Sequence, residues 1–234
     1  MLVLVVSDIH YETSSHHGVD ESGAFDWLLK KIMRLNPDCL IGLGDWGHAW
    51  VKPQWDELAG LCNIAIIYGN HDKMELLRRV ANSDGTKALA QDGGVKVIDG
   101  LRVGFINGII SDAHRVKDGV PRKTEEEYLR IGLSLPPIDI LCTHESPYVE
   151  EYGTRIRPSV GTETLGRIIR HAKPRLALSG HLGGPYTIGK VGDTLSFRVD
   201  SSPSEKHFAI FDTSSHLIRV YHDWEVVREL HPTF

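Results

Sequence analysis

The chain has 234 residues, 41% hydrophobic and 24% charged, an ordinary balance that suits a buried core and excludes a wholly disordered chain. No apolar run approaches the roughly 20 residues needed to cross a bilayer, and the formal net charge of -5 offers no global attraction for nucleic acid or an anionic membrane. One α/β domain over residues 1–234, cytoplasmic and free of membrane contact, is the expectation. Met1 to Asp8 supports that location, since it lacks a basic leader and turns polar after a strand's length. Cys39, Cys62 and Cys142 lack the CxxC spacing of a zinc site and read as small buried hydrophobes in a reducing compartment.

Leu2 to Ser7 is an unbroken β-rich run, the pattern of a strand covered on both faces, and it ends in Asp8-Ile9-His10. If the backbone stays extended there, Asp8 and His10 point to the same side. Residues 11–21 are polar and read as a loop. Ser22 is placed to cap a helix over 23–35 whose stripe is Phe25, Leu28, Leu29, Ile32, Met33 and Leu35, stopped by Asn36-Pro37. Cys39 to Leu43 is a second apolar strand, ending in Gly44-Asp45. A short helix follows from Pro53 to Leu61, and Ile64 to Tyr68 is a third strand, ending in Gly69-Asn70-His71-Asp72. This βαβαβ order implies a doubly wound arrangement with functional groups at the carboxyl ends of the strands.

Met74 to Ala81 has helical spacing, and Val95–Ile98 and Leu101–Ile106 flank Asp99-Gly100 as a hairpin. The stretch 111–124, with His114, Arg115, Lys117, Arg122 and Lys123, reads as an exposed loop whose charges are a solvated face. Glu125 to Leu133 is helical, and Ile138 to Cys142 is a strand ending in Thr143-His144-Glu145. The loop 146–161 carries Tyr148, Tyr152, Arg155 and Arg157 and is long enough to shape a pocket; its two arginines suit phosphate oxygens or plain surface equally. Thr162 is expected to cap a helix to His171, and Arg175 to Leu178 is a strand leading to Ser179-Gly180-His181. Tyr186–Lys190, Thr194–Val199, Lys206–Phe211 and Leu217–Tyr221 suggest a second, largely antiparallel sheet. Trp27 and Trp55 lie on helical stripes and, like Trp224 in the last β-rich run, read as packing residues.

Five strand ends therefore present Asp8-x-His10, Asp45, Asn70-His71, His144 and His181. An amide, imidazoles and carboxylates at buried strand tips are costly unless paired, and this donor mixture suits first-row divalent ions such as manganese, iron, cobalt or zinc. Taken singly, each residue is as well read as a turn or capping group; in order, each after a strand, they point to one site. A carboxylate able to bridge two such ions makes hydrolysis at phosphorus the natural chemistry.

The ordered set Asp8-x-His10, Gly44-Asp45, Gly69-Asn70-His71-Asp72, His144 and Gly180-His181 resembles the calcineurin-like metallophosphoesterase superfamily. The resemblance implies a two-sheet β-sandwich flanked by helices, four layers in αββα order, with the metal site at the carboxyl ends of the strands. It implies one or two divalent ions, among manganese, iron, zinc, cobalt and nickel. Asp8 and His10 would hold the first, Asp45 would bridge, and Asn70, His144 and His181 would hold the second. His71 would face the phosphate to stabilise charge or protonate the leaving oxygen, and Asp72 would orient it. Attack by a bridging hydroxide on a phosphomonoester or phosphodiester of a small molecule or nucleotide is the implied reaction.

The alternatives are a DNA-repair-type nuclease or nucleotide phosphodiesterase and, from another class, a binding protein that keeps the fold with weakened turnover. The family's last motif is usually Gly-His-x-His, whereas this chain has Gly180-His181-Leu182-Gly183, and glycine has no ligand atom. His16, His17, His48 and His207 are candidates to replace the missing donor of the first site. After Asp45, Trp46-Gly47-His48 stands where the family commonly has an acid or asparagine.

Overall fold

The structure is a computed structural model that describes residues 1–16, 18–111 and 115–234, with only the backbone described at 16 and 153–155. His17 and His114, and the side chains of His16 and Arg155, lie outside that description. In chain order the elements are β1 (Leu2–Val6), β2 (Ser15–His16), β3 (Val19–Asp20), α1 (Ala24–Leu35), β4 (Cys39–Gly42), α2 (Lys52–Leu61), β5 (Asn63–Ile66) and α3 (Met74–Leu77). There follow β6 (Val95–Ile98), β7 (Leu101–Ile106), β8 (Val116–Lys117), β9 (Val120–Pro121), α4 (Glu125–Leu133), β10 (Ile140–Thr143), a 3-10 turn (Glu150–Arg155) and α5 (Val160–Ala172). The chain closes with β11 (Leu176–Ser179), β12 (Tyr186–Val191), β13 (Thr194–Val199), β14 (His207–Asp212), β15 (Leu217–His222) and β16 (Glu225–Leu230).

Alternation along the strands sorts the apolar side chains into three cores. Val3 and Val5 of β1 point inward to a cluster with Ile41, Phe105, Ile140, Leu178 and Phe197, which binds the two sheets face to face. Leu4 and Val6 point outward to α1 and α2 through Leu28, Ile32, Trp55 and Leu58. Behind the other sheet, Leu141 and Ala177 meet Tyr128 of α4 and Leu165, Ile168 and Ile169 of α5. The result is the four-layer αββα sandwich expected from the resemblance.

Sheet membership departs from the simpler expectation of a parallel sheet followed by an antiparallel one. One sheet has the order β16-β15-β14-β1-β4-β5 and the other β12-β13-β11-β10-β7-β6, so each is mixed. Parallel β1-β4-β5 form part of the first and parallel β7-β10-β11-β13 part of the second, with the late hairpins split between them. All these parallel strands deliver their carboxyl ends to one edge of the sandwich.

Local expectations are corrected in several places. The α1 N-cap is Gly23, with no side-chain cap, while Ser22 Oγ bonds Asp20 instead. Met33 is 65% exposed and leaves the stripe, whereas Lys31, 1% exposed, enters it because its ammonium reaches Asp223. Ser159, not Thr162, caps α5; Thr162 occupies the third helical position and completes the capping box. The helix after Asp72 is only the single turn of α3. Residues 11–21 and 111–124 contain the short pairs β2-β3 and β8-β9. Asp99 and Gly100 both have positive φ, as a tight hairpin requires. Trp224 sits in the β15–β16 turn, its ring 3.3 Å from the Lys31 ammonium.

Candidate metal centre

The site residues leave the strands on loops that brace one another. Asp8 N–H donates to Gly44 O (2.9 Å), His10 N–H to Asp45 O (3.0 Å) and Tyr11 N–H to Trp46 O (2.8 Å), so the loops after β1 and β4 run as a ladder. Gly47 N–H joins the loop after β5 by donating to His71 O (2.9 Å). Beneath them, the rings of Trp46, Trp50 and Trp55 pack together, with Trp46–Trp55 centroids 4.8 Å apart.

Asp8 and His10 do not reach a common side through extended backbone. Both are left-handed, with φ of 56° and 46°, as are Asp45 at 55° and His181 at 72°. Non-glycine residues there cost on the order of 1 kcal/mol each, and such strain collects at functional sites.

Asp45 lies at the middle of the arrangement. Its Oδ1 accepts from the N–H groups of Asn70 (2.5 Å) and His71 (2.8 Å), which fixes the carboxylate. Its Oδ2 faces two imidazoles, His10 Nε2 at 3.7 Å and His144 Nε2 at 3.4 Å. Two groups of donor atoms result, each with all members within 4.8 Å of one another: Asp8, His10 and Asp45, and Asp45, His144 and His181. Asp8 Oδ1 stands 3.8 Å from His10 Nε2, while its Oδ2 accepts the His181 N–H at 3.1 Å.

Two of the buried polar atoms without partners belong to proposed ligands, and a third, Ser7 Oγ, stands next to Asp8. His144 Nδ1 lies 2.7 Å from Leu43 O, a carbonyl that can only accept, so Nδ1 keeps its proton in either charge state and Nε2 is the nitrogen that an ion would take. That Nε2 and Asn70 Oδ1 are buried without hydrogen-bond partners. Unpartnered buried donors beside clustered carboxylates and imidazoles are what a cation satisfies, so the residues present fit one or two divalent ions.

The electrostatics agree in direction. Burial opposes ionisation of Asp45, but His144 and then His10 and His71 hold its carboxyl far below the usual range. Burial lowers His144 as well, yet Asp45 overcomes it and carries the imidazole up to about 10. His181 is pushed down to about 4 by burial and the neighbouring His144, whose ring centroid is 5.0 Å away. Asp200 is raised to about 7 by burial and the charge of Asp8.

Asp72 is placed differently from expectation. Its Oδ2 accepts from Gly69 N–H (2.6 Å) and Asp45 N–H (3.1 Å), and its Oδ1 from Trp46 N–H (2.7 Å). It therefore staples the Asp45 loop to the Asn70 loop and, among the described residues, makes no bond to the His71 ring. Three converging amides are a better match for a buried carboxylate than a half-exposed imidazole. Burial and the charge of Asp45 raise Asp72 to about 7. His71 itself lies on the wall of the cavity, 5.5 Å from His10 between ring centroids, and is held below its ordinary value by burial.

The cavity over this floor has a volume of about 580 Å³ and is lined by Asp8, His10, His71, His181, Gly183 and Asp200, among others. Of the candidate replacements at the first site, His48 reaches the cavity but is bonded to Glu12 (2.8 Å), and His207 instead stacks on His222 at 4.7 Å. Arg157 lines an adjoining cavity of about 480 Å³ with Glu145, His181 and Leu182. A cavity of about 640 Å³ beside Arg170, Arg175 and Lys190 lies at the opposite end of β11 and shares no residue with the site. Sequence reasoning missed Asp200, although it follows β13 as the other acids follow their strands.

The family model for calcineurin-like phosphoesterase matches residues 1–185. No curated protein matches the chain. Among solved structures, TT1561 of Thermus thermophilus superposes with a TM-score of 0.67 at 14% identity, covering 95% of this chain and 98% of that one. GAP50, the anchor in the inner membrane complex of Plasmodium, gives 0.60 at 12% identity, covering 99% and 88%. A dimetal phosphatase from Danio rerio gives 0.58 at 11% identity, covering 99% and 98%. At these identities the likeness is one of fold.

Proposed function

The chain belongs to the calcineurin-like phosphoesterase family, and from that premise we propose that it hydrolyses phosphoesters of small molecules at a centre of two divalent ions. The observation that carries this reading is the position of Asp45, the one carboxylate common to both donor groups, with Oδ2 facing both. Asp8, His10 and Asp45 would hold the first ion, and Asp45, Asn70, His144 and His181 the second. Such ions polarise a phosphoryl oxygen and make water a nucleophile at neutral pH.

The chain's own groups do the remaining work. The Leu43 carbonyl fixes His144 in the tautomer that presents Nε2. The Asn70 and His71 amides hold Asp45 so that its free oxygen stays central. His71 stands on the cavity wall, where its ring would face the phosphoryl group and donate a hydrogen bond to it or a proton to the leaving oxygen. Asp72 acts on His71 only by positioning the loop that carries it.

The lining of the cavity bears on the substrate. It contains Glu12 and Glu21 besides the proposed ligands and, among the described residues, no lysine or arginine. A nucleic-acid backbone gains its affinity from such cations, so a small phosphoester is favoured over a nuclease substrate.

The test is to count bound metal in the purified protein and to assay a monoester, a diester, a nucleotide and single-stranded DNA with each divalent ion. Asp45→Asn is expected to lose metal from both sites and turnover with it. His71→Ala is expected to keep its metal and lose roughly 10²–10⁴-fold in kcat. Bound metal without turnover on any ester, or an Asp45→Asn protein that behaves as the native one, would refute the reading.

A further inference from the structure

The first ion's donor set, as the family resemblance supplies it, is one ligand short, because residue 183 is glycine. The space is there: Gly183 lines the cavity, and a Cβ built on it would meet nothing within 4 Å. A different strand brings a carboxylate to the wall of the same cavity.

Strand β13 runs parallel to β11, with Ser179 opposite Arg198. Continued two residues, that register sets Asp200 level with His181 at the edge where the site lies. The residue after Asp200 is tied to the residue before Asp8: Ser201 N–H donates to Ser7 O (2.8 Å), and Ser7 N–H donates to Ser201 Oγ (3.3 Å). This pair of bonds joins the two sheets and sets the Asp8 and Asp200 loops side by side.

Asp200 is 5% exposed and lines the cavity with Asp8, His10, His181 and Gly183. Its Oδ1 accepts the Ser202 N–H at 2.9 Å. Among the described residues it forms no ion pair, and it stands outside the two tight donor groups, on the Asp8 side. A buried carboxylate beside a second one, whose repulsion outweighs the attraction of the Arg198 guanidinium, is an arrangement that a divalent ion satisfies.

We propose that Asp200 completes the first metal site in place of the donor missing at position 183. The inference rests on the metal-centre reading and changes its chemistry. With Asp8, Asp45, Asp200 and His10 the first site has three carboxylates and one imidazole, whereas the second has one carboxylate, one amide and two imidazoles. The oxygen-rich set favours a hard ion such as Mn²⁺, and the imidazole-rich set a borderline ion such as Zn²⁺. The centre is thereby a mixed one, with different preferences on its two sides.

The test measures metal rather than activity. Full-length native protein, Asp200→Asn and Asp200→Asn/Gly183→His are stripped, titrated with Mn²⁺ or Zn²⁺ at neutral pH, and read by elemental analysis and calorimetry. Asparagine keeps the Oδ1 acceptor for Ser202, so folding is retained, which a thermal melt checks. Asp200→Asn is expected to weaken Mn²⁺ at one site by roughly 10–100-fold, the range for loss of a supporting group at a metal site, and to spare the other. Gly183→His in that background is expected to restore two ions with Zn²⁺ preferred over Mn²⁺. Two Mn²⁺ bound with native affinity by Asp200→Asn would overturn this proposal alone. No ion bound by the native protein would overturn the metal-centre reading together with it. Should Asp200→Asn fail to fold, Gly183→His in the native chain decides: an unchanged Mn²⁺-to-Zn²⁺ preference at the first site counts against the proposal, and a shift toward Zn²⁺ supports it.

Discussion

Gly69→Ala adds one methyl group at the most crowded point of the site. A Cβ there would stand 2.2 Å from Asp45 Oδ1 and 2.6 Å from both Cε1 and Nε2 of His144. A carbon–oxygen contact relaxes to roughly 3.3 Å, so Asp45 must retreat by about 1 Å. Neither neighbour yields cheaply, since Asp45 is held by the Asn70 and His71 amides and His144 by the Leu43 carbonyl. The φ of Gly69 is not left-handed, so its role is close approach rather than a turn's backbone freedom. Overpacking of this kind costs about 1–3 kcal/mol, and a 1 Å misplacement of a reacting array costs about 10²-fold in rate. The expected outcome is a folded protein with reduced metal content and kcat/KM lower by about two orders of magnitude. Elemental analysis and steady-state kinetics on a chromogenic phosphoester measure both. Gly60→Ala, where an added Cβ meets nothing within 4 Å, is the matched control. Native metal content and turnover within about threefold for Gly69→Ala would refute the crowding argument.

Two further outcomes are expected. Because Asp45 raises His144 to about 10 against the effect of burial, most of the metal-free protein carries that proton at neutral pH. Metal binding should therefore release a proton from His144, which calorimetry in buffers of different ionisation enthalpy reads and which His144→Gln lowers by close to one per chain. For the metal-free protein the sign follows from a raised folded-state value: the stabilisation is full below His144's ordinary 6.5 and lost as pH rises through about 10, so urea melts should weaken across that window. Away from the site, Asp223→Ala leaves the Lys31 ammonium 1% exposed between Trp27, Phe208 and Trp224. Asp223 is itself 48% exposed, so solvent screening brings the loss below that of a fully buried pair, to about 1–3 kcal/mol. Lys31→Met, which removes the charge and keeps the stem, is expected to change stability by less than about 1 kcal/mol in the same melts.

The strand ends were legible because parallel strands covered on both faces read as continuous apolar runs, and a polar residue breaking such a run has no packing explanation. Asp45 and His144 stood out for that reason. Asp200 has the same placement, yet β13 carries Ser196 and Arg198 in its interior, so the contrast at its end disappears. The division of the late strands between the sheets was not legible either, since β12 to β15 have similar composition and only the partner across the core decides which sheet each joins. The left-handed backbone of Asp8 and His10 depends on the ladder with Gly44, Asp45 and Trp46, a contact between loops far apart in sequence. The resemblance pairs Asp72 with His71, whereas the amides that donate to it belong to Asp45, Trp46 and Gly69, a junction between loops that one motif does not display.

The site is costly to fold empty. Four of its residues are held left-handed, Asn70 Oδ1 and His144 Nε2 are buried without partners, and the Asp8 and Asp200 loops are brought side by side. A ligand that binds only the folded chain stabilises it by about 4 kcal/mol when present at a thousand times its dissociation constant, which is comparable to the summed strain of those backbones. Among the proposed ligands, the unpartnered atoms lie on the Asn70–His144–His181 side, where imidazoles dominate, and the surplus carboxylate lies on the Asp8 side, beside the unpartnered Ser7 Oγ. An ion held by Asn70, His144 and His181 would engage donors without other partners, whereas an ion on the Asp8 side would relieve repulsion between like charges. The two proposed ions would therefore stabilise the fold by different physics, and because Asp8 and Asp200 are each 5% exposed, added salt would screen little of the repulsion that the ion on their side relieves.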